Sequence, residues 1–286
     1  MRKVVQAIGF FLLALLSACA LAADRIELPL TFERNVPVVH LKIDGRDVPF
    51  VLDTGASDSL YLTVAESEAI GGVKKTGQNV KSVDLSGKVA EVPEIQVDAL
   101  RINDMAFGPL KGRIRTDWGI SDGSSGAPKI SVLGLSFFGD RKVLLDFPGR
   151  RVVVWTPSSS PAEAGEWADL PFTRGKEGIR IELVSSQRRY RMVLDSASTV
   201  SLVKRTSVPS GEPLNECSIQ MQPGFPCRSL DLTLPTAQSP VFAPMLLSLP
   251  EVFPSDGIVG REFFDQYSVV LDLSRDSIRI RRNAQP

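Results

Sequence analysis

The chain has few of the side chains on which several common chemistries depend. Its 286 residues include one histidine, His40, and three cysteines, Cys19, Cys217 and Cys227. His40 is far in sequence from the two late cysteines, so a zinc site is poorly supported, and no metal or cofactor is expected. Net charge is also lacking: 33 basic and 33 acidic residues leave a formal charge of +0. Whole-chain attraction to nucleic acid or an anionic membrane is therefore absent, and a nucleic-acid partner is not expected. Helical periodicity is scarce, with short candidates over 62–70 and after the glycines at 134 and 260. What is present is an apolar fraction of 43%, enough for one large domain or two lobes with real cores.

The first residues, Met1-Arg2-Lys3, lead into an apolar run from Val4 to Leu16 broken only by Gln6, and then into Ser17-Ala18-Cys19-Ala20-Leu21-Ala22-Ala23. This is a secretory signal pattern, expected over 1–23. Cleavage after Ala20-Leu21-Ala22 would release a soluble exported protein. Alternatively, Leu16-Ser17-Ala18-Cys19 is similar to a bacterial lipobox and would make Cys19 the lipidated first residue; an uncleaved anchor is the third route. All three place the globular part outside the cytosol, as a periplasmic protein or an envelope-anchored lipoprotein of a bacterium. Contact with the membrane is expected only through the leader or the lipid. Cys217 and Cys227 then remain as a pair around a Pro223-Gly224 turn signal. In an oxidising compartment a disulfide there is expected to contribute on the order of 2–3 kcal/mol, the alternative being two buried thiols.

Past the leader, short runs rich in Val, Ile, Leu and Phe are punctuated by Gly, Pro, Asp and Ser, among them 36–43, 48–52, 89–97, 142–147, 150–155, 179–184, 190–194 and 269–280. Such spacing favours an all-β sandwich or barrel. His40, between Val39 and Leu41 in an alternating stretch, is expected to face solvent. A polar stretch without periodicity divides the chain into lobes over 24–156 and 170–286, joined by a linker over 157–169.

The most informative feature is a segment that occurs twice: Pro49-Phe50-Val51-Leu52-Asp53-Thr54-Gly55-Ala56-Ser57 and, 142 residues later, Arg191-Met192-Val193-Leu194-Asp195-Ser196-Ala197-Ser198-Thr199. The repeat extends upstream, where 39–53 aligns without gaps on 181–195. Downstream, Val132-Leu133-Gly134 matches Ile258-Val259-Gly260, and Val143-Leu144-Leu145-Asp146 matches Val269-Val270-Leu271-Asp272. Three matches in one order indicate an internal duplication.

These residues resemble the acid protease family, which includes pepsin, with two lobes in one chain, and the retroviral proteases, whose lobes are separate subunits. The resemblance covers about 36–280 and rests on the hydrophobic-hydrophobic-Asp-Thr-Gly-Ala-Ser turn followed by hydrophobic-hydrophobic-Gly. It implies two similar β-barrel lobes, each nearer in length to a retroviral protease subunit, with a cleft between them and short helices after the hydrophobic-hydrophobic-Gly segments. Asp53 and Asp195 would lie at the cleft floor as the catalytic pair. Two carboxylates about 3 Å apart cannot both ionise, so one activates a water while the other donates to the scissile carbonyl. In the family the hydroxyls at Thr54 and Ser196 bond across the lobe interface, while Gly55 and Ala197 present backbone N–H groups near the carboxylates. Ala197 departs from the glycine of the first copy, and is harmless only if its φ is ordinary.

Family members close over substrate with a β-hairpin flap, here 80–92 with Ser86 and Gly87 at its tip; an ordinary surface hairpin is the alternative. The glycine-rich loop at 117–126 is a candidate border of the cleft. The expected function is an exported aspartic endopeptidase acting on polypeptide as a monomer. The alternatives are an inactive pseudo-protease serving as a peptide-binding or envelope scaffold, and a first lobe that pairs with its copy in a second chain.

Overall fold

A computed structural model describes residues 24–83, 87–115, 129–157, 159, 165–175, 177–217, 226–236 and 239–284. The expected leader, Cys19, Ser86 and the loop over 117–126 lie outside these residues.

Alternation decides the first strand, Arg25–Glu33, in which Ile26, Leu28 and Leu30 are buried while Arg25, Glu27 and Pro29 are exposed. It is half-buried and pairs on both sides: residues 25–29 with Arg151–Trp155, and residues 30–33 with Val36–Ile43. The next strands are apolar on both faces because they run through the middle of the sheet. Phe50, Val51 and Leu52 of Arg46–Asp53 are all buried, and so are Val132 and Leu133 of Ser131–Gly134.

The duplication is visible as matched pairing. In the first half Val39 faces Phe50 across an antiparallel pair, and Val132 and Leu133 run parallel beside Val51 and Leu52. In the second half Ile181 faces Met192, and Ile258 and Val259 run parallel beside Val193 and Leu194. Between the halves, Lys142–Asp146 pairs with Tyr267–Asp272 in the register Val143↔Leu271, Leu144↔Val270, Leu145↔Val269. Since these strands are two copies of one segment, the register relates them by a two-fold axis through the Leu144/Val270 pair.

The described strands fall into a 13-stranded sheet, an 8-stranded sheet and a 2-stranded ribbon, Leu100–Ile102 with Met105–Phe107. Each large sheet has a linear strand order, so the expected barrels are open sheets that curl without closing. The larger sheet crosses the boundary between halves: Tyr267–Asp272 and Ser277–Arg282 of the second half join Lys142–Asp146 and Arg151–Trp155 of the first. The end of the expected linker joins it too, with Ala168 and Asp169 paired to Ile280 and Arg279.

One apolar cluster extends through both halves, with Phe147 stacked on Phe264 at 4.9 Å between centroids. Each such ring, fully buried, contributes about 1.5–3 kcal/mol. The helical elements are short: Val64–Ala69, capped by Thr63 Oγ1 accepting from Glu66 N at 3.1 Å, and Arg261–Gln266, which follows Gly260. A 3-10 turn, Leu135–Phe138, follows Gly134. Among the described residues no helix is long and apolar enough to cross a membrane. His40 is half-buried, its ring 3.2 Å from Thr31 Oγ1 and 3.1 Å from Asp47 Oδ2, because the neighbouring strand covers the face expected to meet solvent.

Candidate active site

Asp53 ends the strand Arg46–Asp53, and Asp195 immediately follows Arg189–Leu194. Each begins the same turn: Ala56 N donates to Asp53 O at 3.4 Å, and Ser198 N to Asp195 O at 3.3 Å. Each carboxylate accepts from its own turn. Gly55 N reaches Asp53 Oδ1 at 2.8 Å; Ala197 N and Ser198 N reach Asp195 Oδ1 at 2.8 and 3.1 Å.

The turn is forced over the strand beside it by glycine. A Cβ on Gly134 would lie 2.0 Å from Asp58 O, and one on Gly260 would lie 2.5 Å from Ser198 O. No larger residue fits either position without moving backbone, which explains why hydrophobic-hydrophobic-Gly recurs with the Asp turn.

Four hydrogen bonds lock the two turns together. Thr54 N donates to Ser196 Oγ at 3.0 Å, and Ser196 N to Thr54 Oγ1 at 3.0 Å. Thr54 Oγ1 donates to Leu194 O at 2.6 Å, and Ser196 Oγ to Leu52 O at 2.7 Å. Both hydroxyls are fully used in a buried, reciprocal network, so the relative placement of the two carboxyls is over-determined. The carboxyls themselves are within hydrogen-bonding reach of each other.

Burial raises the pKa of Asp53 well above the usual carboxylate value, and the neighbouring Asp195 charge raises it further. Burial also raises Asp195, opposed by the N–H groups of Ala197 and Ser198 and by the hydrogen bond from Asp53. Both carboxyls are therefore raised, and so close a pair titrates together rather than as a separate acid and base.

Gly55 and Ala197 both have φ outside the left-handed region, so alanine at 197 adds no backbone strain. The two positions differ in space. A Cβ on Gly55 would lie 3.0 Å from Asp195 Cγ, whereas the Ala197 methyl packs against an apolar cluster of Val36, Val51, Ala56, Tyr61 and Val132.

Residues 39–137 match the family described as aspartyl protease, a span that contains the first Asp turn and the first hydrophobic-hydrophobic-Gly segment. Over that span, about a third of the chain, the sequence is similar to the aspartyl protease family. Among solved structures it is similar to the aspartic proteinase of Irpex lacteus, at 13% identity and a TM-score of 0.56, covering 91% of this chain and 98% of that one. It is similar too to soybean basic 7S globulin, at 11% identity and a TM-score of 0.57, with 91% and 95% covered. Lupine conglutin gamma stands at 12% identity and a TM-score of 0.56, with the same coverage, 91% and 95%. No curated protein matches by sequence.

Around the pair, the acid protease fold brings in residues that carry no motif. Gly178, at the head of Gly178–Val184, approaches the back of the first turn so closely that a Cβ there would meet Thr54 O at 2.4 Å. Its φ of +90° also belongs to glycine. The candidate flap is longer than the sequence suggested: Val73–Val83 pairs with Val89–Val97, with a register shift between Lys75 and Asn79. Of its expected tip, Gly87 is described, with φ +85° and the Pro250 ring beside it, so the hairpin reaches across to the second half. Arg113 ties the hairpin to the first turn. Its guanidinium pairs with Asp58, donates to Lys81 O at 3.3 Å and lies 5.2 Å from the centre of the Tyr61 ring.

Cys217 and Cys227 form the expected disulfide, with Cα atoms 5.1 Å apart, beside the second half's cluster of Leu202, Met245, Leu247 and Leu249. A disulfide fits an extracellular or periplasmic protein.

Proposed function

We propose that the chain is an exported aspartic endopeptidase that cleaves polypeptide with a water activated between Asp53 and Asp195. The observation that supports this reading is the reciprocal Thr54–Ser196 lock, which ties the turn of the buried Asp53 to the turn of the half-buried Asp195. Burying two carboxyls side by side is costly to a fold and chemically useful only when they share a proton. In the reaction, the ionised member of the pair takes a proton from water as the water oxygen bonds to the scissile carbonyl carbon, while the protonated member donates its proton to the carbonyl oxygen. Collapse of the tetrahedral diol returns a proton to the second carboxyl, breaks the C–N bond and passes the first carboxyl's proton to the leaving amine. Neither a metal nor a covalent enzyme intermediate is needed.

The scaffold alternative drew on Ala197, whose ordinary φ leaves it without support from that residue. An unfolded protein substrate and the single variants Asp53→Asn and Asp195→Asn test the proposal. Each variant is expected to keep the wild-type circular dichroism spectrum and lose cleavage across pH 3–8. Turnover retained by either variant overturns the intramolecular pair; wild-type peptide binding without turnover returns the scaffold.

A further inference from the structure

A cavity of about 370 Å³ opens between the hairpin stem and the first Asp turn. Its walls mix apolar surface, from Val83 and the Tyr61 ring, with the polar groups of Ser57, Asp58, Lys81, Ser82 and Arg113. Most of those groups are already committed. Ser57 Oγ and Tyr61 Oη are 2.9 Å apart, and the Arg113 charge is matched by Asp58. Burial raises the Tyr61 pKa, which keeps the phenol neutral. Lys81 is different: among the described residues its ammonium has no hydrogen-bond or ion-pair partner. Glu91, its cross-strand neighbour on the exposed hairpin, is the acidic group facing it there, and the two make no ion pair.

An apolar side chain entering this cavity would strip water from hydroxyls, a phenol and charges without replacing any hydrogen bond. A carboxylate would meet an uncommitted cation on one wall and hydroxyl donors on the others. Resting on the peptidase reading, we propose that this cavity selects substrates with an acidic side chain, Asp or Glu, close to the scissile bond, and that Lys81 is the specificity-determining residue. Ser57, four residues after Asp53 and 2.9 Å from the Tyr61 hydroxyl, places the cavity at the first Asp turn.

Paired peptides, acetylated and amidated so that the only carboxylate is a side chain, differ by Glu or Gln at one position scanned across the cleavage site. Both cleavage and equilibrium binding by fluorescence anisotropy are measured with the full mature protein. At one position Glu is expected to exceed Gln by about fivefold, the ratio of a partly exposed ion pair. Lys81→Met brings that ratio to about one, Lys81→Glu reverses it towards Lys peptides, and 0.5 M salt weakens it. Equal treatment of Glu and Gln, or an unchanged ratio in Lys81→Met, overturns the proposal. Absent cleavage with a retained binding preference defeats the peptidase reading and leaves the acid-selective cavity standing. Absent binding of either peptide defeats the cavity as well.

Discussion

Gly55→Ala adds, and Ala197→Gly removes, one methyl at matching positions of the two turns, and the structure assigns them different consequences for activity. The new Cβ at 55 would lie 3.0 Å from Asp195 Cγ and 3.2 Å from its Oδ2. The Asp195 carboxyl must give by a few tenths of an ångström, yet its Oδ1 is held by Ala197 N and Ser198 N. Overpacking of this kind costs about 1–3 kcal/mol. Alanine returns about 0.4–1 kcal/mol by restricting the unfolded chain, because φ at 55 is ordinary. The net expectation is a loss of about 1 kcal/mol. Ala197→Gly loses the same unfolded-state restriction and the contact of one partly buried methyl, again about 1 kcal/mol in total. Stability therefore barely separates the variants, whereas catalysis does. Displacing one carboxyl of the pair lowers kcat about tenfold to a hundredfold in Gly55→Ala. Ala197→Gly, which removes a methyl directed at an apolar cluster, stays within about threefold of wild type on the same scale. Urea unfolding and steady-state cleavage of one peptide substrate measure both quantities. A fully active Gly55→Ala, or an Ala197→Gly that loses activity while Gly55→Ala keeps it, refutes the spatial argument.

Two further outcomes follow from the buried network. Thr54→Val strands Ser196 N–H without its acceptor and Leu194 O without its donor in a site 1% exposed. At about 1–2 kcal/mol for each stranded group the variant should lose about 2–4 kcal/mol in urea unfolding; a loss below about 0.5 kcal/mol removes the lock as a stabilising element. The second outcome is in the pH dependence. Asp53 and Asp195 keep protons in the fold at pH values where an unfolded Asp, with a pKa near 3.9, has released them. Their contribution to stability therefore falls as pH rises above about 4 and levels off once the folded groups have ionised. Asp53→Asn removes one of the two raised groups, so its unfolding free energy between about pH 4 and 8 declines less steeply than that of wild type, and an equal or steeper decline contradicts the raised pKa.

Much of the site was legible because the constraints on it are local. Asp53-Thr54-Gly55 needs a strand, a turn and a glycine at fixed offsets, and the glycines at 134 and 260 are dictated by a backbone oxygen within 2.5 Å of where a Cβ would stand. Those constraints leave marks in the sequence. The flap length, Gly178 and Arg113 left none, because each is set by a distant part of the chain: Gly178 by Thr54 O, Arg113 by Asp58 and Lys81 O. Arg25–Glu33 did carry a signal, the alternation of Ile26, Leu28, Leu30 and Phe32, although Pro29 and the adjacent leader obscured it. Strand spacing points to a sandwich or barrel and the resemblance to β-barrel lobes, but spacing counts strands and says nothing about which edges meet. The sharing of one sheet by both halves depends on the Leu144↔Val270 register, a pairing across 126 residues that composition cannot encode.

That shared sheet has a mechanical consequence. In many two-lobed enzymes the linker is a hinge and the cleft opens when the lobes swing apart. Here a continuous ladder, Lys142–Asp146 hydrogen-bonded along Tyr267–Asp272, runs from one half into the other. Swinging would tear that ladder and unstack Phe147 from Phe264, so the floor behaves as a rigid plate. The exposed hairpin, with the Pro250 ring beside Gly87, is tied to the second half by far less, so on the peptidase reading it rather than the floor would yield to an entering polypeptide.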